Sequence, residues 1–198
     1  MGRAMGLAAV VVAIAMMAGC AQMGTAKSKS VYAIMSEIQE QITWQVWNAN
    51  GWAANPVVVN AVIAQNKKGP IPGMDNAKWK MVPGNDAIVQ GFINDDAAKF
   101  LKEEMGKTDG ICTGGFLNAA QGEKVAFTGK TSSYIHKGSA KFDVPFTTGK
   151  PWQGKPELDD SGKAYEIQIS VPVLSEGKPV GALVVDLDGT KLEEMARK

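Results

Sequence analysis

The chain has 198 residues, 45% hydrophobic and 21% charged, with 21 Lys and Arg against 20 Asp and Glu. This is a globular composition with length for one domain and a sizeable core, and a net charge of +1 leaves no electrostatic footprint for nucleic acid. Two cysteines exclude a disulfide framework, and a single histidine excludes a multi-histidine metal site.

The first 19 residues read as a targeting segment. Arg3 supplies a short positive region, and Leu7 to Met17 is an apolar run of 11 residues, short of the about 20 that a membrane span needs. It ends in Met17-Ala18-Gly19-Cys20. Small residues before the cut fit a signal peptide, and small residues directly before a cysteine resemble the bacterial lipobox, with Met17 a less usual choice at its first position. That resemblance implies that residues 1–19 are a lipoprotein signal peptide and that Cys20 is acylated. The alternatives are a plain signal peptide with an incidental Cys20, or a retained anchor. Several acyl chains hold firmly, at about 0.8 kcal/mol per buried CH₂. The expected location is therefore periplasmic, tethered by lipid to a bacterial membrane. Ala21 in place of an acidic residue favours the outer membrane. Residues 20–30 form the lipidated cysteine and a small, polar, flexible tether. Residues 31–198 are expected to be one domain.

Val31, Ile34, Met35, Ile38, Ile42, Val46 and Ala49 recur at helical spacing, which predicts a long amphipathic helix ending near Asn50-Gly51. Trp44, Trp47 and Trp52 at its end are expected to lock it onto a sheet rather than to stack on a ligand. Asn55-Pro56 starts a second helix, with Asn as N-cap and Pro in the first helical position. Lys67 to Gly84 reads as loop, anchored by Trp79. Asn85 or Asp86 caps a short helix, and Asp95 or Asp96 caps another that Gly106 ends.

Beyond residue 110 the pattern changes to strands. Ile111–Leu117 and Lys124–Thr128 flank a turn at Ala120-Gln121-Gly122-Glu123. Cys112 falls in the first strand, where a lone cysteine is a small core residue. Lys137 to Gly162 reads as a long loop held down by Phe142, Phe146 and Trp152. In the next stretch, Tyr165, Ile167, Ile169, Val171 and Val173 fall on one face and Glu166, Gln168 and Ser170 on the other, the period-2 mark of a half-buried strand. Ser175-Glu176-Gly177-Lys178 is a tight turn, and Val180 to Val185 is a strand apolar on both faces, hence central. Thr190-Lys191-Leu192-Glu193 has capping-box spacing and opens a last short helix. Helices first and antiparallel strands after them predict an α+β domain with helices packed on a sheet.

Catalytic motifs are weak. Asp186-Leu187-Asp188-Gly189-Thr190 after a hydrophobic strand looks like the first motif of haloacid-dehalogenase phosphatases, but that motif opens its fold, and eight residues follow Thr190 here. A strand end followed by a helix cap is the expectation. The same residues lack the spaced ligands of a calcium loop. Ser175-x-x-Lys178 sits in a turn, not on a helix. His136 has only Ser132 and Ser133 nearby and is expected to be an exposed loop residue. No enzyme, metal site or cofactor is expected.

Several segments together resemble the Cache domains, the PAS-like sensors also called PDC domains. Phe116-Leu117-Asn118 with Gly122 and Val125-Ala126 resembles their strand, turn and strand. Thr131-Ser132-Ser133-Tyr134 and Ala140-Lys141-Phe142 resemble a segment often written Thr-Ser-Asp-Tyr and Asp-Glu-Ala-Lys-aromatic. Asp159-Asp160-Ser161 leads into Tyr165 and Val171-Pro172-Val173, and Val180-Gly181-Ala182-Leu183-Val184-Val185-Asp186 closes the hairpin. Ser133, Gly138 and Ser139 stand where acids are common, which removes charges that would hold a cationic ligand. The resemblance implies a PAS-like antiparallel sheet of five to six strands behind a long N-terminal helix. A small polar ligand such as an amino acid, amine or carboxylate would lie between sheet and loops, and by position Tyr134, Lys141, Phe142, Trp152, Asp159 and Tyr165 would line its pocket. A lysine can hold a carboxylate and an aspartate an ammonium. The chain stops after residue 198 without a signalling domain, so a membrane sensor kinase or chemoreceptor is the implied partner. The alternative is a non-catalytic structural or assembly lipoprotein that uses the fold for protein contact.

Overall fold

The computed structural model describes residues 31–158 and 165–198. Cys20 and Asp159 lie outside them. Five helices come first: α1 (Val31–Ala53), α2 (Pro56–Lys68), α3 (Asn76–Met81), α4 (Ala87–Ile93) and α5 (Asp96–Gly106). Strands β1 (Cys112–Ala119) and β2 (Lys124–Phe127) follow, then α6 (Ala140–Thr148), β3 (Trp152–Gln153) and β4 (Glu157–Leu158). The hairpin β5 (Tyr165–Ser175) and β6 (Lys178–Asp188) leads into α7 (Gly189–Ala196). The strands form one antiparallel sheet in the order β2-β1-β6-β5-β3, with β4 also paired to β5. This is the PAS-like α+β architecture expected from the sequence.

The caps explain the helix starts. Asn55 accepts from Val57 N, Asp86 from Ile88 N and Asp95 from Ala97 N, each satisfying one of the first free N–H groups of its helix. The cap of α7 is Asp188, which accepts from Lys191 N at 2.9 Å; Thr190, the expected cap, instead accepts from Tyr165 N at 3.0 Å. At the β5–β6 turn both Glu176 (φ 50°) and Gly177 (φ 76°) are left-handed, as a two-residue hairpin following the strand twist requires.

β6 lies between β1 and β5, and its run of apolar residues packs on both faces. Behind the sheet, Ile167, Ile169, Val171 and Val173 of β5 join Leu183, Val185 and Leu187 of β6, Ile42 and Ala49 of α1, Val58 and Val62 of α2 and Leu101 of α5 in the main core. Each fully buried aliphatic side chain there contributes about 1.5–3 kcal/mol. In front, Phe116, Phe127 and Val184 pack with Trp79, Val89 and Tyr134.

Two parts differ from the loops expected. Within Lys67–Gly84, Asp75 caps the single-turn helix α3, which seats Trp79. Within Lys137–Gly162, α6 forms with Pro145 inside it, and Phe142 and Pro145 are buried. On α1, Trp52 is buried as expected, but Val31, Met35, Trp44 and Trp47 are exposed. Trp44 and Trp47 stack on each other with ring centroids 5.0 Å apart and do not reach the core.

Candidate functional site

The polar face of β5 is the floor of the site. The alternation that sends Ile167, Ile169 and Val171 into the core turns Glu166, Gln168 and Ser170 to the front of the sheet. Register adds their neighbours: Gln168 is opposite Asp186, and Ser170 opposite Val184, while Val184 is opposite Phe116 and Asp186 opposite Gly114. A cleft of about 750 Å³ opens over these residues, roofed by segment 128–132, His136, Lys141, Glu157 and Leu158. Gly114 leaves room at its floor: a Cβ there would lie 3.1 Å from Asp186 Oδ2 and 3.4 Å from Thr128 Oγ1. A smaller annex of about 220 Å³ shares Lys141, Glu157, Glu166 and Gln168 with the cleft and is walled by Trp152.

Three lysines (Lys102, Lys130, Lys141) and three acids (Glu157, Glu166, Asp186) line the cleft. Its centre is a relay. Lys141 Nζ donates to Gln168 Oε1, and Gln168 Nε2 donates to Asp186 Oδ1 at 2.9 Å. A neutral amide thus bridges a cation and an anion. Burial pushes the Asp186 carboxyl above its ordinary value, opposed by the Gln168 hydrogen bond and by Lys141 and Lys124.

His136 is buried, against the exposed position expected for a lone loop histidine. The isolated bridge between Glu123 and Ile135 and the bond from His136 N to Gly122 O tie its segment to the β1–β2 turn, and the imidazole stacks on Phe116 with centroids 4.6 Å apart. Burial, then Lys124 and Lys141, lower its pKa to about 3, so the ring is neutral at ordinary pH. Cys112 is buried, as expected; its Sγ donates to Gln45 Oε1 at 3.5 Å, and burial pushes the thiol up to about 11. Among the described residues no group of three or more His, Cys, Asp or Glu stands together to hold a metal ion.

The residues expected from the sequence take different places. Lys141 lines both cavities, and Trp152 lines the annex beside it. Tyr134 is fully buried beside Trp79, Phe92 and Phe127, and its hydroxyl accepts from Ile71 N at 2.9 Å. Phe142 is buried and stacks on Phe146 at 5.0 Å. Tyr165 is exposed at the start of β5. Asp159 lies outside the described residues. Gln168, Asp186 and His136 also line the cleft, and none of them was among the ligand residues expected from the sequence. The polar half of the β5 alternation was the available signal for Gln168; the others needed the strand register.

An antiparallel sheet with helices packed behind it and a polar cleft over its front is the PAS-like architecture that the sequence resemblance implied. No family model matches the chain, and no curated protein matches it. Solved structures do. The sensor domain of the V. cholerae histidine kinase DctB superposes with a TM-score of 0.50 at 14% identity, covering 84% of this chain and 57% of that one. The ligand-binding domain of the Pseudomonas aeruginosa amino acid chemoreceptor PctC, solved with GABA, gives 0.47 at 13% identity, covering 83% and 60%. That of the Campylobacter jejuni chemoreceptor Tlp3, solved with 4-methylisoleucine, gives 0.45 at 15%, covering 83% and 59%. The chain therefore spans less than two thirds of the length of these domains. At 14% identity, the likeness to the DctB sensor domain is one of fold alone.

Proposed function

We propose that this protein is a lipid-anchored, extracytoplasmic, non-catalytic ligand-binding domain. Its ligand is a small polar metabolite that carries an ammonium and an acidic group, such as an amino acid. The Lys141–Gln168–Asp186 relay carries this reading. In the relay one amide satisfies both charges. A zwitterion replaces it, with its carboxylate on Lys141 and its ammonium on Asp186, and gains two charge-assisted bonds in a partly buried site. Trp152 and the annex beyond Gln168 accept the remainder of the ligand.

The Met17-Ala18-Gly19-Cys20 motif supports the lipid anchor, and among the described residues no helix is long and apolar enough to cross a membrane. A membrane sensor kinase or chemoreceptor that reads the ligand state is the partner this reading calls for. Labelling with a radioactive fatty acid in a bacterial host tests the anchor: label is incorporated by the chain and lost in Cys20→Ala, and label retained in that variant removes Cys20 from the proposal.

The binding test is thermal melting of the full chain, followed by circular dichroism, against amino acids, amines and short carboxylates. A ligand at 100 times its Kd stabilises the folded state by about 2.7 kcal/mol, a rise of several degrees in Tm. Hits that vanish in Asp186→Ala are expected. No shift across the panel would move the assignment to protein contact.

A further inference from the structure

Glu157 and Glu166 stand directly opposite each other on β4 and β5, and both line the cleft and its annex. Opposed residues on one face of an antiparallel pair have Cβ atoms about 4.5–5.5 Å apart, and like charges placed there destabilise the pairing. Two acids at that register therefore work against the short strand β4. A cation set between them offsets the repulsion and gains a charge-assisted bond to each carboxylate.

The annex supplies a path to that pair. Glu166 and Gln168 are two residues apart on the front of β5, a step of about 7 Å. Gln168 is the amide that the ligand's head group displaces, so the paired glutamates lie one such step from the head group. Trp152, opposite Ser170, reaches back along this path. Its ring passes over Gly154, where a Cβ would lie 2.9 Å from Trp152 Cη2, and Gly154 N donates to Gln168 O at 2.7 Å. A side chain leaving the head group therefore meets an aromatic wall, which takes an aliphatic stem and also attracts a cation. Lys141 and Lys155 are the cations of the annex. With Lys141 holding the ligand's carboxylate, Lys155 is left against two acids.

We propose that the annex selects a ligand with a second cation, a diamino acid whose side chain runs along Trp152 and ends between Glu157 and Glu166. This rests on the cleft being the ligand site, with the head group on Lys141 and Asp186, and it narrows the ligand from amino acids at large to those with a straight side chain ending in an amine. The methylene stem lies on the indole, and the terminal ammonium donates to both carboxylates. A four-carbon stem matches the two-residue step along β5, so lysine is the probe of choice.

The experiment is titration calorimetry of the full chain in mild detergent with L-lysine and with L-norleucine, which lacks only the terminal amine. In the wild type, lysine binds more tightly than norleucine by about tenfold or more. The double variant Glu157→Gln, Glu166→Gln keeps the size of both side chains and removes the opposed charges, so it folds and melts no lower than the wild type. In it lysine falls to the level of norleucine. Equal affinity of the two amino acids in the wild type overturns the role of the annex and leaves the cleft as the site. A preference for lysine retained in the double variant overturns the assignment to Glu157 and Glu166. Failure of the wild type to bind either amino acid overturns the cleft reading and this one with it.

Discussion

Gln168 and Asp186 stand directly opposite each other on β5 and β6, and the amide of Gln168 donates to the carboxylate at 2.9 Å. The same amide accepts from Lys141 on α6. One side chain thus ties the sheet to the helix that covers it, and a ligand that engages Lys141 and Asp186 must displace it. Under the proposed function, displacement of that amide would also release the hydrogen bond between β5 and α6.

Asp186→Asn tests the charge at this point. The amide oxygen still accepts from Gln168, so the local geometry is kept while the anion is removed. Affinity for an amino acid should fall about tenfold or more, the scale of a hydrogen bond to a charged group. Stability should hold or rise, because a buried carboxylate is no longer desolvated. Titration calorimetry beside a urea melt separates the two, and unchanged affinity would remove Asp186 from the site.

His136 predicts the acid limb of stability. Its folded pKa is depressed to about 3 from an ordinary 6.5, so the unfolded chain binds a proton that the folded chain refuses. The contribution is fully present above pH 6.5 and is lost progressively as pH falls toward 3. Lys124, also depressed, acts in the same direction, with stability rising toward its ordinary value of 10.5. Asp186, raised, acts in the opposite direction: its contribution is present below its ordinary 3.8 and lost as pH rises through its folded value. His136→Phe should flatten the fall between pH 6.5 and 3 in urea unfolding followed by circular dichroism. An unchanged slope would mean that the imidazole is not held neutral.

Much of this was legible in the sequence where local chemistry and global packing agree. Asn55-Pro56, Asp86 and Asp95 cap helices as their residue types demand, and the β5–β6 hairpin follows from alternation and a Glu-Gly turn. Legibility failed where packing overrode propensity. Pro145 argues against a helix through its missing N–H, yet burial of Phe142 and Pro145 holds α6 together. Six-residue α3 is hidden among glycines and prolines, and its seat for Trp79 includes a hydrogen bond from Nε1 to Thr131 O, 52 residues away. The site suffered in the same way: Gln168 and Asp186 come together only through strand register, which periodicity does not encode.

Gly115 fixes the distance between β1 and its neighbours. A Cβ there would lie 2.6 Å from Met105 Cε and 2.7 Å from Val184 O. The methionine side chain can turn aside, but the β6 carbonyl is held in the ladder. Gly115→Ala should therefore cost about 1–3 kcal/mol and lower Tm by about 2–4 °C for each kcal/mol. A melting curve within a degree of the wild type would show that the central strands can part without loss.

The tryptophans of α1 separate core from surface. Trp52 is 7% exposed and belongs to the main core, whereas Trp44 and Trp47 are 57% and 65% exposed. Trp52→Ala should cost about 3–5 kcal/mol, a transfer loss plus an unfilled cavity. Trp44→Ala and Trp47→Ala each forfeit one side of an exposed ring stack, worth about 0.5–1.5 kcal/mol, and only once, since either change breaks the same pair. The double variant should therefore destabilise by less than the sum of the singles. Urea unfolding of the four variants decides this. A cost for Trp44→Ala as large as that for Trp52→Ala would mean that the outer face of α1 is covered in solution.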